Sequence, residues 1–224
     1  MTTLIKTIKA DEQDKRSWTV ELNGKRLEEV ETVRIFNENF GELNYGMTIP
    51  GYDGISFHEN SGGGVVCVPF VVIDGRLYIG MVQQERHNQG GKVWNLPRGF
   101  IDPGENHFEA MAREFEEEIR YSSPDKMVKP LSGDPCNPNS AFFETPNKNE
   151  GVKFFSIEVL PKQLELESIS GGFRFRSGIL KPLTKAAEQI YSCRFFPWRE
   201  TSCSSDMFTV AGIARLLSSQ FISL

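Results

Sequence analysis

The stretch Gly99–Tyr121, GFIDPGENHFEAMAREFEEEIRY, constrains this chain more than any other, because turn residues crowd its first part and a helical repeat fills its second. With roughly 100° of rotation per residue and Glu114 set at zero, Glu118 falls near 40° and Glu117 near −60°. The three acids therefore share one arc of the helix. Phe108, Met111, Ala112, Phe115 and Ile119 take the adjacent arc at the spacing of an amphipathic helix. The acids should thus border the buried face, with Glu109 and Glu116 turned to solvent. Clustered carboxylates repel one another unless a cation sits among them, and hard oxygen ligands suit Mg2+ or Mn2+. On the helix alone, a metal site and a merely solvated acidic face are equally good readings.

The loop ahead of the helix shifts that balance. Trp94–Gly104 reads WNLPRGFIDPG, an apolar start followed by Pro97, Gly99, Pro103 and Gly104, which fix a tight backbone path. A rigid loop can aim a carbonyl at a metal. It can also offer amide groups and the Arg98 guanidinium to phosphate oxygens.

The order Gly99, Glu105, Arg113, Glu114, Phe115, Glu116, Glu117, Glu118, with Trp94, Leu96, Pro97 and Arg98 before it, resembles the signature of the Nudix hydrolases. One position departs from that pattern: Arg120 stands where the family usually has a glycine, which normally caps the helix in the left-handed region. A cation at this helix end suits the helix dipole. The resemblance implies a Nudix-type α/β/α sandwich with a mixed β-sheet. It implies that Glu114 and Glu118 bind metal directly, that Glu117 is a further ligand or a base acting on water, and that the carbonyl of Arg98 is the backbone ligand. Glu105 and Arg113 match the family's internal ion pair, which ties the loop to the helix; the plainer reading is a surface pair worth under about 1 kcal/mol.

Composition agrees with an enzyme. The chain has 224 residues, of which 39% are hydrophobic, enough for a sizeable core. A net charge of −5 argues against general affinity for nucleic acid or anionic membranes. No apolar run is long enough to span a bilayer, and the N-terminus does not read as a secretory signal. Cys67, Cys136, Cys193 and Cys203 have no C-x-x-C spacing, so zinc is not expected and the thiols read as reduced, in a cytoplasmic protein.

Along the chain, residues 1–60 read as an N-terminal β extension and 61–224 as the Nudix domain. SWTVEL and Val30–Phe36 alternate on either side of a turn at Asn23-Gly24, and Pro50–Gly54 reads as a further turn. Val65–Val72 and Arg76–Gln83 flank Asp74-Gly75, a strong hairpin signal. Residues 122–151 are rich in Pro, Asn, Ser and Gly and read as loop. Lys153–Leu160 reads as a strand, and Lys181–Tyr191 and Asp206–Ser218 as helices, the second with Ser204 or Ser205 as its N-cap and Phe208, Ala211, Ile213, Leu216 and Leu217 as its apolar face.

The layout of an N-terminal β segment followed by a hairpin ending in VQQER resembles the ADP-ribose and nucleotide-sugar pyrophosphatase branch. That likeness implies hydrolysis of a diphosphate linkage in a nucleoside diphosphate derivative, with Mg2+ as cofactor and Mn2+ as a substitute, and a homodimer built through the N-terminal strands. It points to Gln84 and Arg86 as substrate contacts beside Arg98, since a planar guanidinium can bond two phosphate oxygens at once. It also implies a catalytic carboxylate from a downstream loop, Glu144 ahead of Glu150. Other readings are a hydrolase of dinucleoside polyphosphates, NADH or nucleoside triphosphates, and a nucleotide-sensing module without turnover. His58, His87 and His107 are isolated and carry no expected role. Tyr52, Trp94 and Phe142 can stack on a base or serve as core.

Overall fold

The computed structural model describes residues 3–9, 18–22, 25–37, 41–49, 52–59, 63–86, 90–121, 127–133, 151–167, 172–181 and 190–220. They divide into two compact units: one holds the described residues up to Gly63 together with Gly151, and the other holds the rest from Gly64 onward.

The first unit is a five-stranded sheet of β1 (Thr3–Lys9), β2 (Trp18–Leu22), β3 (Lys25–Asn37), β4 (Gly41–Ile49) and β5 (Tyr52–Glu59). The long β3 organises it, pairing antiparallel with β1, β2 and β4, while β5 pairs with β4. The alternating segments 18–22 and 30–36 are strands, and Val33 is buried. Asn23 and Gly24 lie outside the described residues, but Leu22 and Lys25 pair on either side of them. The turn read over Pro50–Gly54 is shorter than expected: Ile49 pairs with Tyr52, so Asp53 and Gly54 belong to β5, while Pro50 and Gly51 lie outside the described residues.

The second unit is built on a nine-stranded sheet. In chain order its elements are β6 (Gly63–Ile73), β7 (Arg76–Arg86), β8 (Gly91–Asn95), β9 (Arg98–Phe100), helix α1 (His107–Ile119), β10 (Val128–Pro130), β11 (Gly151–Glu158), β12 (Leu164–Leu166), β13 (Phe173–Phe175), β14 (Ile190–Pro197), the single turn α2 (Trp198–Thr201) and helix α3 (Met207–Gln220). The strand order is β10-β11-β6-β7-β14-β13-β12, with β8 added to β7 and β9 to β6. The β6–β7 hairpin closes at Asp74 and Gly75, whose φ values of 50° and 73° are the two left-handed residues that a type I′ turn requires.

The two faces of β6 explain the layers. Val65, Cys67 and Val71 point into the cluster that holds Ala110, Met111, Phe115 and Ile119 of α1, together with Phe155 and Ile157 of β11. Val68 points the other way, where with Leu96 and Phe154 it meets α3 so closely that a Cβ at Gly212 would lie 2.7 Å from Leu96. Helices therefore cover both faces of the sheet, the α/β/α sandwich that the resemblance implies. Each large apolar side chain buried this way contributes roughly 1.5–3 kcal/mol.

One expected helix is corrected. Ile190 and Tyr191 do not end a helix over Lys181–Tyr191; they open β14, which pairs with β7 from Gln84 to Tyr78. Residues 182–189 lie outside the described set. The run IYSCRFFP is rich in β-branched and aromatic residues and sits between two strands, a context that favours extended backbone. Gly80 makes room for it: a Cβ there would meet both Phe195 and Pro69 at 2.9 Å.

Candidate active site

The site is assembled where the start of β9, the end of β7 and one face of α1 converge. Asn106 sets the start of α1. Its side chain accepts from the amides of Phe108 and Glu109 at 2.9 and 3.1 Å, while Glu109 reaches back to the Asn106 amide at 2.9 Å. This is a capping box. Glu109, expected to be merely solvated, therefore has a local structural role.

The buried side of α1 is rotated toward the acids relative to the sequence reading. Ala110, Met111, Phe115, Glu118 and Ile119 are buried, whereas Ala112 is exposed and Phe108 is 41% exposed, resting edge-on against Phe155. The rotation takes Glu118 inside, at 4% exposure. Its Oε2 accepts the backbone amide of Arg98 at 2.9 Å, and its Oε1 accepts the side-chain amide of Gln84. Glu114 lies against the next residue of the same strand, since a Cβ on Gly99 would fall 1.9 Å from its carboxylate. A side chain at position 99 would push the Glu114 carboxylate away from this backbone. Glu117 stands apart, with its side chain 55% exposed and Oε2 3.4 Å from Arg113. Among the described residues no three His, Cys, Asp or Glu side chains already form a cage. Two of the three acids converge on the Arg98–Gly99 backbone, and the third borders the solvent side.

Arg113 links this face to the loop. Its Nε and Nη2 bind the two oxygens of Glu105 at 2.8 and 2.9 Å, Nη2 also donates to the Phe100 carbonyl at 2.8 Å, and Nη1 lies 2.7 Å from Glu114. The bidentate bond holds the Glu105 carboxyl below its usual range, and the neighbouring carboxylates hold the guanidinium proton more tightly than usual. Glu105 and Arg113 thus join loop, strand and helix in one network. Arg120 ends the helix in the left-handed conformation itself, φ 63° and ψ 25°, with its amide on the Glu116 carbonyl at 2.8 Å. The usual C-cap geometry is present without glycine, at a conformational cost of about 1–2 kcal/mol.

The end of β7 brings Gln84 and Arg86 to the same place. Gln84 is buried, and its two ends face different partners: the amide nitrogen meets Glu118, while the oxygen accepts from Arg86 Nε and Nη2 at 3.1 and 2.7 Å. A carboxamide suits this position because it carries a donor and an acceptor on one planar group. Of the residues that sequence reading singled out, Glu144, Glu150 and Phe142 lie outside the described residues, as does the Tyr52 side chain. Trp94 packs edge-on against Phe196 and beneath the Arg194 guanidinium. The thiols of Cys67 and Cys193 are pushed up mainly by burial and then by Glu118, which keeps them neutral.

Sequence reading missed Asp206. It stands just before α3, where its Oδ2 accepts the amide and the hydroxyl of Thr209 at 2.9 and 2.7 Å, so Asp206, rather than Ser204 or Ser205, caps the helix. Its other oxygen binds Arg98 Nη1 at 2.7 Å. The Asp-x-x-Thr spacing signals a helix start, but nothing in it signals a partner on another element.

Residues 63–173 match the NUDIX domain family. Over that stretch the chain carries a NUDIX domain, which takes in β9 and the acids of α1. No curated protein matches it. Among solved structures the chain is similar to the NUDIX domain of Shewanella oneidensis NrtR complexed with ADP ribose, at 16% identity over 72% of this chain and 89% of that one, with a TM-score of 0.46. It is also similar to an ADP compounds hydrolase, at 13% identity over 98% of this chain and 95% of that one, TM-score 0.47. A C. elegans Ap4A hydrolase in a binary complex shares 14% identity over 70% of this chain and 95% of its own, TM-score 0.42.

Proposed function

We propose that this chain hydrolyses the diphosphate linkage of a nucleoside diphosphate derivative, ADP-ribose or a nucleotide sugar, with Mg2+ as its cofactor and Mn2+ as a substitute. The observation that carries this reading is the delivery of Glu114 and Glu118 to the Arg98–Gly99 backbone, next to an arginine tied into the same hydrogen-bond chain through Gln84.

The residues present fit a hard divalent cation. Two carboxylates meet a backbone segment that is free of any Cβ at Gly99, and oxygen donors of this kind prefer Mg2+ or Mn2+. Glu114, Glu118, Glu117 and the Arg98 carbonyl would hold it. The orientation of Arg98 supports that last ligand. The Cys67 amide donates to the Pro97 carbonyl at 2.9 Å, so Pro97 faces β6, and by strand alternation both polar groups of Arg98 face the other way, where its amide meets Glu118. When bound, the cation would neutralise diphosphate charge and lower the pKa of a water.

The chain's own groups do the rest. Arg86 binds a diphosphate oxygen through its planar fork while Gln84 holds its other edge. Glu117, the acid nearest solvent, takes the proton of the attacking water, with Glu144 or Glu150 as the downstream carboxylate that assists. Arg98 acts through its backbone, since its guanidinium is engaged by Asp206. The N-terminal strands serve as the homodimer element. Sedimentation of the full chain checks that part, and a monomer at micromolar concentration removes it.

The deciding experiment is a side-by-side assay of ADP-ribose, nucleotide sugars, dinucleotides and triphosphates with Mg2+, run on the wild type and on Glu118→Gln. Preferred turnover of the first two, falling by orders of magnitude in the variant, is expected. Near-normal rates in Glu118→Gln would sink the metal assignment, and binding without turnover in the wild type would make the chain a sensor.

A further inference from the structure

Arg98 is held at both ends. Its backbone amide donates to Glu118, its guanidinium donates to Asp206 Oδ1 at 2.7 Å, and the guanidinium lies 5.1 Å over the Phe208 ring. The two side chains of the ion pair are 17% and 7% exposed, so water screens them poorly. The anchoring does not stop there. Thr209, bound twice to the other oxygen of Asp206, accepts the Leu96 amide on its hydroxyl at 3.2 Å. The tripeptide Leu96–Arg98 is therefore bound to the first turn of α3 at both ends, and its middle carbonyl is bound to β6.

A helix cap needs only one carboxylate oxygen. The second oxygen of Asp206 is spent on a residue far away in sequence, whose backbone in turn fixes one oxygen of a buried acid. We propose that Asp206 is a positioning residue for Glu118, acting through Arg98 to hold the amide that orients the carboxylate toward its cation. The inference rests on the metal reading above. It adds that the metal ligand on α1 is aimed from the opposite face of the sheet, by α3.

Asp206→Asn separates the two roles of this side chain, because asparagine caps a helix as well as aspartate but carries no charge for Arg98. In the metal-free protein, hydrogen exchange at the Arg98 amide is expected to speed up at least tenfold, while the amides of Val210 and Ile213 in α3 keep their protection. Mn2+ affinity, followed by electron paramagnetic resonance, is expected to weaken about tenfold or more, in line with the loss of other residues that orient metal ligands. Substrate KM at saturating metal should hold. Arg98→Met, which leaves the cap untouched, should reproduce both changes, and the double variant should add little to either. Unchanged exchange at Arg98 together with unchanged Mn2+ affinity, in Asp206→Asn or, where that variant does not fold, in Arg98→Met, overturns the inference. Failure of the wild type to bind Mn2+ overturns the metal reading instead, and the exchange measurement keeps the two failures apart.

Discussion

The two long helices of the second unit begin in different ways. At the start of α1, Asn106 and Glu109 satisfy each other's backbone amides, and all the partners lie within four residues. At the start of α3, Asp206 satisfies Thr209 with one oxygen and reaches with the other to Arg98, on a strand beneath the helix. The first cap stabilises a helix. The second stabilises a helix and also carries its position to the backbone against which Glu114 and Glu118 are set. A local cap answers only to its own first turn, whereas a shared cap couples two elements and so cannot change alone.

That contrast has measurable consequences, of which loss of the shared cap is the largest. Asp206→Ala removes a cap and leaves a poorly solvated guanidinium without its partner, which should cost about 3 kcal/mol in denaturant unfolding. Asn106→Ala removes a local cap only and should cost about 1 kcal/mol. Equal costs would erase the distinction between the two helix starts.

The Glu105–Arg113 pair sharpens it further, because this is how α1 reaches its own loop. The Glu105 carboxyl is held down by its bonds to Arg113, so its contribution is fully present above the ordinary value of 4.5 and is lost as pH falls below that, through the lowered folded value. Glu105→Gln should therefore be less stable than wild type at neutral pH, by about 1 kcal/mol, and the gap should close on acidification. A gap independent of pH would mean that the bond's charge does not matter. The smallest effect is expected at the other end of α1. Arg120→Gly relieves the left-handed residue but frees the unfolded chain, for a net gain of about 0.5 kcal/mol in melting experiments. A loss there would show that the Arg120 side chain contributes more than its backbone conformation costs.

Much of this was legible in advance because the signals were local. The Asp74-Gly75 hairpin, the alternating strands of the first unit, and the helix between the Trp94–Gly104 loop and Arg120 follow from periodicity and turn chemistry within a dozen residues. The Glu105–Arg113 link was legible through the resemblance alone. What failed was context-dependent. Ile190 and Tyr191 read as helix until β7 and β13 made their segment a central strand. The rotation of α1 that buried Ala110 in place of Ala112 was set by the surface it packs on, since a helical wheel fixes relative angles and leaves the orientation to the neighbour.

The sequence by itself determined the loop and the helix face that carry these acids, because the turn residues Gly99, Pro103 and Gly104 and the spacing of Glu114, Glu117 and Glu118 act over few residues. Only the tertiary structure decided how they are aimed. Glu118 went inside and Glu117 stayed outside because the sheet claimed one side of α1. Arg98 turned its side chain to Asp206 because the start of α3 lies within reach of β9. Contacts across 108 positions of chain leave no periodic trace in a sequence, since they depend on which faces the packed layers bring together.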